Sequence, residues 1–194
     1  MALARDGIVL SEAVEQAGGR STNAFALIEK VLADAKISRE QIEAIAVGLG
    51  PGSYTGIRAA IAVAQGWRLA REIKLLGVCS IAAIAAQAQA EKIFGRVNVV
   101  LDAQRGEFYL ATWDISAAAR REILPLKIAA ASEVAARKAA GEMCLGPEQA
   151  RKFFPRAAEI AGLAGKKIPV GDEFLEPVYL RAASFVKAPP SREL

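Results

Sequence analysis

The residues best suited to chemistry lie in one glycine-rich stretch, Gly50-Pro51-Gly52-Ser53-Tyr54-Thr55-Gly56, between a run that reads as a strand and one that reads as a helix. A turn of this kind can aim backbone N–H groups and the positive end of a helix at an anion. One reading is therefore a phosphate or nucleotide loop, with Gly52 and Ser53 as contacting residues. The stretch has no Gly-Lys-Ser/Thr ending, so it is not a Walker loop, and Pro51 and Tyr54 break the dinucleotide pattern Gly-x-Gly-x-x-Gly. The plainer reading is a rigid connector in which Pro51 fixes the turn and Ser53 or Thr55 caps the helix. It predicts that Gly52 and Gly56 are structural, holding backbone conformations with φ > 0. Asp102, which ends the apolar run Val97–Leu101, is a second candidate. It is either a carboxylate facing a phosphate or metal, or a turn residue bonding the N–H groups that follow it; the turn is preferred.

What is missing narrows the chemistry further. The chain of 194 residues has no histidine, which excludes Ser–His and Cys–His catalysis, Cys2His2 zinc and HExxH metal sites. Its two cysteines, Cys79 and Cys144, cannot form a four-thiolate site, have no neighbouring base in sequence, and read as small buried residues. Neither a catalytic residue, a metal nor a cofactor is expected. Lys and Arg number 25 against 21 Asp and Glu, a net charge of +4 that is too weak to argue for nucleic-acid binding. Charged residues follow closely on Met1, where an export signal would be apolar. The longest uncharged run, Leu75 to Ala90, falls short of the ~20 residues a membrane helix needs. The expectation is a soluble cytoplasmic protein.

The elements that must position these residues follow from periodicity. Asp6-Gly7 between Met1–Arg5 and Ile8–Val14 predicts a hairpin. Ser21 to Ala35 has helical spacing with Ser21 or Thr22 as cap, Ile42–Gly48 reads as a buried strand, and Thr55 to Arg71 as an alanine-rich helix. Lys74–Val78 is a strand, and Ser80 caps a helix running to about Lys92. Val97–Leu101, Glu107–Trp113 and Arg121–Leu126 read as a meander, followed by a helix at Ser132–Ala140 and a strand at Glu142–Leu145. Short helices are predicted over Gln149–Phe154 and Ala157–Gly162. Arg105 and Glu107 are expected to pair with each other or with a partner. The two halves repeat one plan, so the predicted fold is α/β with a duplicated architecture, residues 1–94 and 95–194 forming the two units.

The run Ala46-Val47-Gly48-Leu49-Gly50-Pro51-Gly52-Ser53-Tyr54-Thr55-Gly56-Ile57-Arg58 resembles the signature of the TsaB family, also called YeaZ. The likeness continues through Ala64-Gln65-Gly66, Leu76-Gly77-Val78-Cys79-Ser80 and Leu101 to Tyr109, and ends with Glu176-Pro177-Val178-Tyr179-Leu180-Arg181. The resemblance implies an actin-like (ASKHA) fold of two related lobes. It also implies a catalytically silent relative of TsaD, the subunit that transfers threonylcarbamoyl to adenosine in tRNA. The implied role is a non-catalytic partner that binds TsaD and supports it together with the ATPase TsaE, reaching tRNA through the complex and with no membrane partner. The alternative is a degenerate actin-like ATPase or phosphotransferase acting alone.

Family members usually open with an apolar strand ending in Asp-Thr-Ser, whereas Met1-Ala2-Leu3-Ala4 corresponds to the second strand. The first strand of the first lobe is thus expected to be missing, leaving a gap or free edge in that lobe. The family joins TsaB to TsaD through two helices from each subunit. The matching helices here are Ser21–Ala35 and Thr55–Arg71, with Phe25, Ile28, Leu32, Ile57, Ile61 and Gln65 as the expected exposed stripe. The alternative is that this stripe is ordinary core. Without TsaD, the same face is expected to form a homodimer.

Overall fold

The computed structural model describes residues 1–15, 23–165 and 175–181. Strands β1 (Ala2–Arg5) and β2 (Ile8–Glu12) form an antiparallel hairpin. Its turn residues Asp6 and Gly7 have φ of 53° and 77°, the two left-handed conformations that Asp-Gly supplies at least cost. Helix α1 (Ala24–Ala35) packs on this hairpin through Ile28, Val31 and Leu32. Its cap is Asn23, whose side chain accepts the Ala26 N–H at 3.1 Å. The expected caps, Ser21 and Thr22, lie outside the described residues.

A parallel β-α-β unit follows: β3 (Ala44–Gly50), α2 (Tyr54–Ala70) and β4 (Lys74–Cys79). β3 starts and ends two residues later than its sequence pattern suggests, because Arg39–Gln41 form a 3-10 turn before it. α2 buries Ile61 and Ala64 against Val47, Ile73 and Leu75. In α3 (Ser80–Ala90) the cap position is Cys79, without a side-chain capping bond. Ser80, expected as the cap, is instead the first helical residue and is buried.

The second half is one five-stranded sheet in the order β7-β6-β5-β8-β9. Its strands are β5 (Gly95–Asp102), β6 (Glu107–Ile115), β7 (Arg120–Ala130), β8 (Met143–Gly146) and β9 (Arg151–Lys152), with helices α4 (Ala131–Ala139) and α5 (Ala157–Gly165). The helix expected over Gln149–Phe154 does not form. Arg151 and Lys152 pair with Leu145 and Gly146, and Phe153 and Gln149 are buried, so sheet pairing and core anchoring override a short and weak helical pattern.

The two halves interlock through their last helices. α3 carries Ile81, Ile84, Ala85 and Ala88 into a core with Val97, Val99, Leu101, Ala111 and Leu145 of the five-stranded sheet. α5 lies reciprocally against β1, β2, β3 and β4. In the first half the sheet is split: β1-β2 and β3-β4 are separate two-stranded sheets. Among the described residues, no helix is long and apolar enough to cross a membrane.

Candidate functional site

β3 delivers the glycine-rich loop and α2 receives it. Gly50 requires glycine: its φ is 97°, and a Cβ there would lie 2.8 Å from Ile57 Cδ1. The expectation of positive φ at Gly52 and Gly56 is corrected, since neither is among the positive-φ glycines. A Cβ on Gly52 would meet only Ile57 Cδ1, at an ordinary 3.8 Å. At Gly56 it would press on the capping side chain, 3.2 Å from Ser53 Oγ. Ser53, rather than Thr55, is the cap: its Oγ accepts the Gly56 N–H at 3.2 Å. The arrangement around Gly52 and Ser53 is thus that of a capped connector.

Asp102 stands at the end of β5. Its Oδ1 accepts the Gln104 backbone N–H at 2.7 Å and its Oδ2 accepts Gln104 Nε2 at 2.6 Å. These bonds hold a turn in which Gln104, Arg105 and Gly106 all have positive φ. The geometry is that of an Asx-stabilised turn, which is the plainer of the two sequence readings.

The two regions are linked by a feature that local sequence does not reveal, the segment 175–181. Leu175 is buried in the core of β3 and α2, and the Val178 N–H donates to the Leu49 carbonyl at 2.8 Å. Tyr179 packs on Tyr54 with ring centroids 5.8 Å apart. Arg58 donates to the Tyr54 hydroxyl at 3.0 Å, and its guanidinium lies 5.2 Å from that ring's centre. Hydrogen bonding to Tyr179, followed by the influence of Tyr54, raises the Arg58 pKa further above its ordinary value. Arg181 then makes an ion pair with Glu107 at the start of β6. Glu107 therefore pairs with Arg181 and not with Arg105.

Burial raises the thiol pKa of both Cys79 and Cys144, so neither is primed as a thiolate nucleophile, and both are half-buried. Among the described residues, no group of three or more His, Cys, Asp or Glu side chains could hold a metal.

The stripe expected on the two outer helices is rearranged. Ile28, Leu32 and Ile61 are buried in their own half, and Ile57 is partly buried against Val47 and Leu75. Phe25 and Gln65 face outward. Four-residue steps joined residues from different faces: Ile57 and Ile61 turn onto β3 and β4, the bulkier side of α2 facing the sheet, whereas Gln65 stays outside it. The outward face of α2 is instead Thr55, Ala59, Ala62, Gly66 and Leu69, at four- and three-residue steps. Leu69 is 90% exposed, and a Cβ on Gly66 would meet nothing within 4 Å.

A model of the family described as TsaD, tRNA N6-adenosine threonylcarbamoyltransferase, matches residues 15–168. The tRNA threonylcarbamoyladenosine biosynthesis protein TsaB of Escherichia coli is 36% identical over 87 residues, which cover 45% of this chain and 38% of that protein. The chain thus matches well under half the length of that relative. TsaB of Bacillus subtilis is 24% identical over 206 aligned positions, covering 94% of this chain and 89% of that protein. Among solved structures, YeaZ from Pseudomonas aeruginosa superposes with a TM-score of 0.65 at 26% identity, over 81% of this chain and 84% of that one. Another Pseudomonas aeruginosa protein, described as similar to peptidase YeaZ, gives 0.67 at 25% identity over 81% and 82%. The fold is the actin-like α/β fold, and the chain belongs to the TsaD family, within which it groups with the TsaB/YeaZ proteins.

Proposed function

We propose that this chain works in the synthesis of N6-threonylcarbamoyladenosine in tRNA, in the cytoplasm, as a non-catalytic subunit that binds TsaD and supports it together with TsaE. The observation that supports this reading is the likeness to TsaB proteins, together with side chains at the candidate site that are already engaged in local structure. Ser53 is committed to a helix cap, Asp102 to its own turn, and the chain has no histidine. A subunit of this kind contributes surface in place of chemistry. The outward face of α2 supports that role: Ala59, Ala62 and Gly66 allow a partner helix to approach closely, and Leu69 offers an apolar anchor. Phe25 on α1 extends the apolar area. In the absence of TsaD the same face would join two copies of the chain.

The test is reconstitution with tRNA, a threonylcarbamoyl donor, ATP, TsaD and TsaE, with this chain added or omitted. Modified adenosine should form only when the chain is present with TsaD, and the chain alone should neither transfer threonylcarbamoyl nor turn over ATP. Steady ATP hydrolysis by the pure chain, abolished by Asp102→Ala, would support instead a degenerate ATPase acting alone.

A further inference from the structure

Two tyrosines at the glycine-rich loop stand out in the open. Tyr54 is 60% exposed and Tyr179 54%, yet their rings pack together with centroids 5.8 Å apart and planes inclined by 36°. Among the described residues, no other two aromatic rings pack on each other. A ring pair in a core gains most of its worth from burial, whereas this pair leaves more than half of each side chain in solvent.

Both rings are nonetheless fixed in place. The strap that carries Tyr179 is anchored on either side, by Leu175 in the core of β3 and α2 and by Arg181 on Glu107, and the Val178 N–H donates to the Leu49 carbonyl at 2.8 Å. Tyr54 begins α2, directly after the Ser53 cap. Arg58, one turn further along, donates to the Tyr54 hydroxyl at 3.0 Å, and its guanidinium lies 5.2 Å from the centre of that ring. A flat ligand would therefore meet rings that need no ordering first.

The charges nearby lean positive. Among the described residues, neither Arg58 nor Arg105, in the turn just before Glu107, has a carboxylate partner. Glu107 is taken up by Arg181, and Asp102 by Gln104. Glu176 is the one unpaired carboxylate of the strap 175–181. Tyr54 and Arg58 also lie about 100° around α2 from Thr55 and Ala59, so they stand beside the outward face of that helix and not on it.

We infer that Tyr54 and Tyr179, with Arg58 beside them, form a stacking platform for an unpaired nucleobase of RNA, whose phosphate meets the unpaired guanidinium. Tyrosine rings stack on any base, and an arginine free of carboxylates supplies the counter-charge that the backbone of a single strand requires. That the RNA is a tRNA rests on the function proposed above; the platform itself does not. On this account the chain touches the RNA directly, in addition to any contact made through a partner subunit.

The experiment uses the full chain alone, without TsaD or TsaE. It is titrated into a fluorescein-labelled, unstructured RNA of about twelve nucleotides, a length within the range of single-strand sites, and into the same RNA annealed to its complement. Anisotropy should show the single strand bound about tenfold or more tighter than the duplex. Tyr54→Leu and Tyr179→Leu should each weaken single-strand binding by about tenfold, while Tyr179→Trp binds as well as the wild type. Arg58→Gln should weaken it too, and flatten the dependence of log K on log salt by about 0.7. Circular dichroism checks that each variant is folded, as the exposure of all three side chains leads one to expect. Equal affinity for single strand and duplex, undiminished binding by both leucine variants, or no binding at roughly 100 μM chain would overturn the platform. Leucine variants that keep RNA binding and lose TsaD would overturn it also, making the rings a protein contact. Because neither TsaD nor TsaE is present in the RNA titration, its failure would leave the subunit reading, tested by reconstitution, standing.

Discussion

Tyr179 lies against Tyr54 with ring centroids 5.8 Å apart and planes inclined by 36°, although the two residues are far apart in sequence. The contact ties the segment 175–181 to the first turn of α2, and Arg181 ties the same segment to Glu107 of the second sheet. The glycine-rich loop is thus held from both halves of the molecule.

Tyr179→Ala should loosen this strap. Both rings are more than half exposed, so the loss should be modest, about 1 kcal/mol, or a fall in Tm of about 2–4 °C for a chain of this size. Tyr54→Ala should cost a similar amount, and the double variant less than the sum of the two. Thermal unfolding of the three variants measures this, and full additivity would mean that the rings do not couple.

Gly50 and Gly52 should respond differently to alanine. Gly50→Ala forces a side chain into φ of 97° and within 2.8 Å of Ile57 Cδ1, which should cost about 2–3 kcal/mol. Gly52→Ala meets only an ordinary 3.8 Å contact and should stay within about 0.5 kcal/mol of the wild type. Denaturant unfolding of both separates them, and a larger loss at Gly52 would contradict the loop geometry described above.

Asn98 is fully buried in β5 at the centre of a polar network. Its Oδ1 accepts from Thr112 Oγ1 at 2.7 Å and from Arg137 at 3.1 Å, and its amide donates to Glu142 at 2.8 Å. Asn98→Leu would leave the Thr112 hydroxyl without its acceptor and remove a partner from Arg137 and Glu142, so a loss of about 2–4 kcal/mol is expected. A variant as stable as the wild type would show the network to be dispensable.

The same network sets a pH response. The Asn98 amide, followed by Arg137, holds the Glu142 carboxyl below its ordinary value of 4.5, and Lys127 with Arg137 does the same for Glu133. A carboxylate depressed in the folded state stabilises it above the unfolded pKa, and this stability is lost as pH falls through the folded value. Tm should therefore fall more steeply below about pH 4.5 in the wild type than in Glu142→Gln. Glu159, raised by burial, acts in the opposite sense in both proteins and cancels in the comparison. Parallel curves would remove Glu142 from the account.

Much of this architecture is legible locally. Asp6-Gly7 specifies its hairpin turn, Ser53 its helix cap, and the spacing of Ile57, Ile61 and Ala64 the inner face of α2. Periodicity resolves neither which face of a helix turns inward nor where the edge of that face falls. The expected stripe therefore combined core residues such as Ile28 and Ile61 with outward ones such as Phe25 and Gln65. β9 was hidden because two residues pairing with Leu145 and Gly146 leave no periodic trace. The partnership of Arg181 with Glu107 joins residues 74 positions apart, a distance at which spacing carries no signal.

The central claim, that this chain is a binding partner of TsaD, is tested most directly by titrating purified TsaD with the full chain and with Ala62→Glu, following complex formation by size-exclusion chromatography and calorimetry. Ala62 is exposed on α2, so the substitution should leave the circular dichroism spectrum unchanged. The account predicts a stable complex with the wild type. With Ala62→Glu it predicts affinity lower by about a hundredfold, since an unpaired charge buried in a helical interface costs several kcal/mol. Failure of the wild-type chain to bind TsaD would contradict the account, and undiminished binding by Ala62→Glu would contradict the assignment of the α2 face.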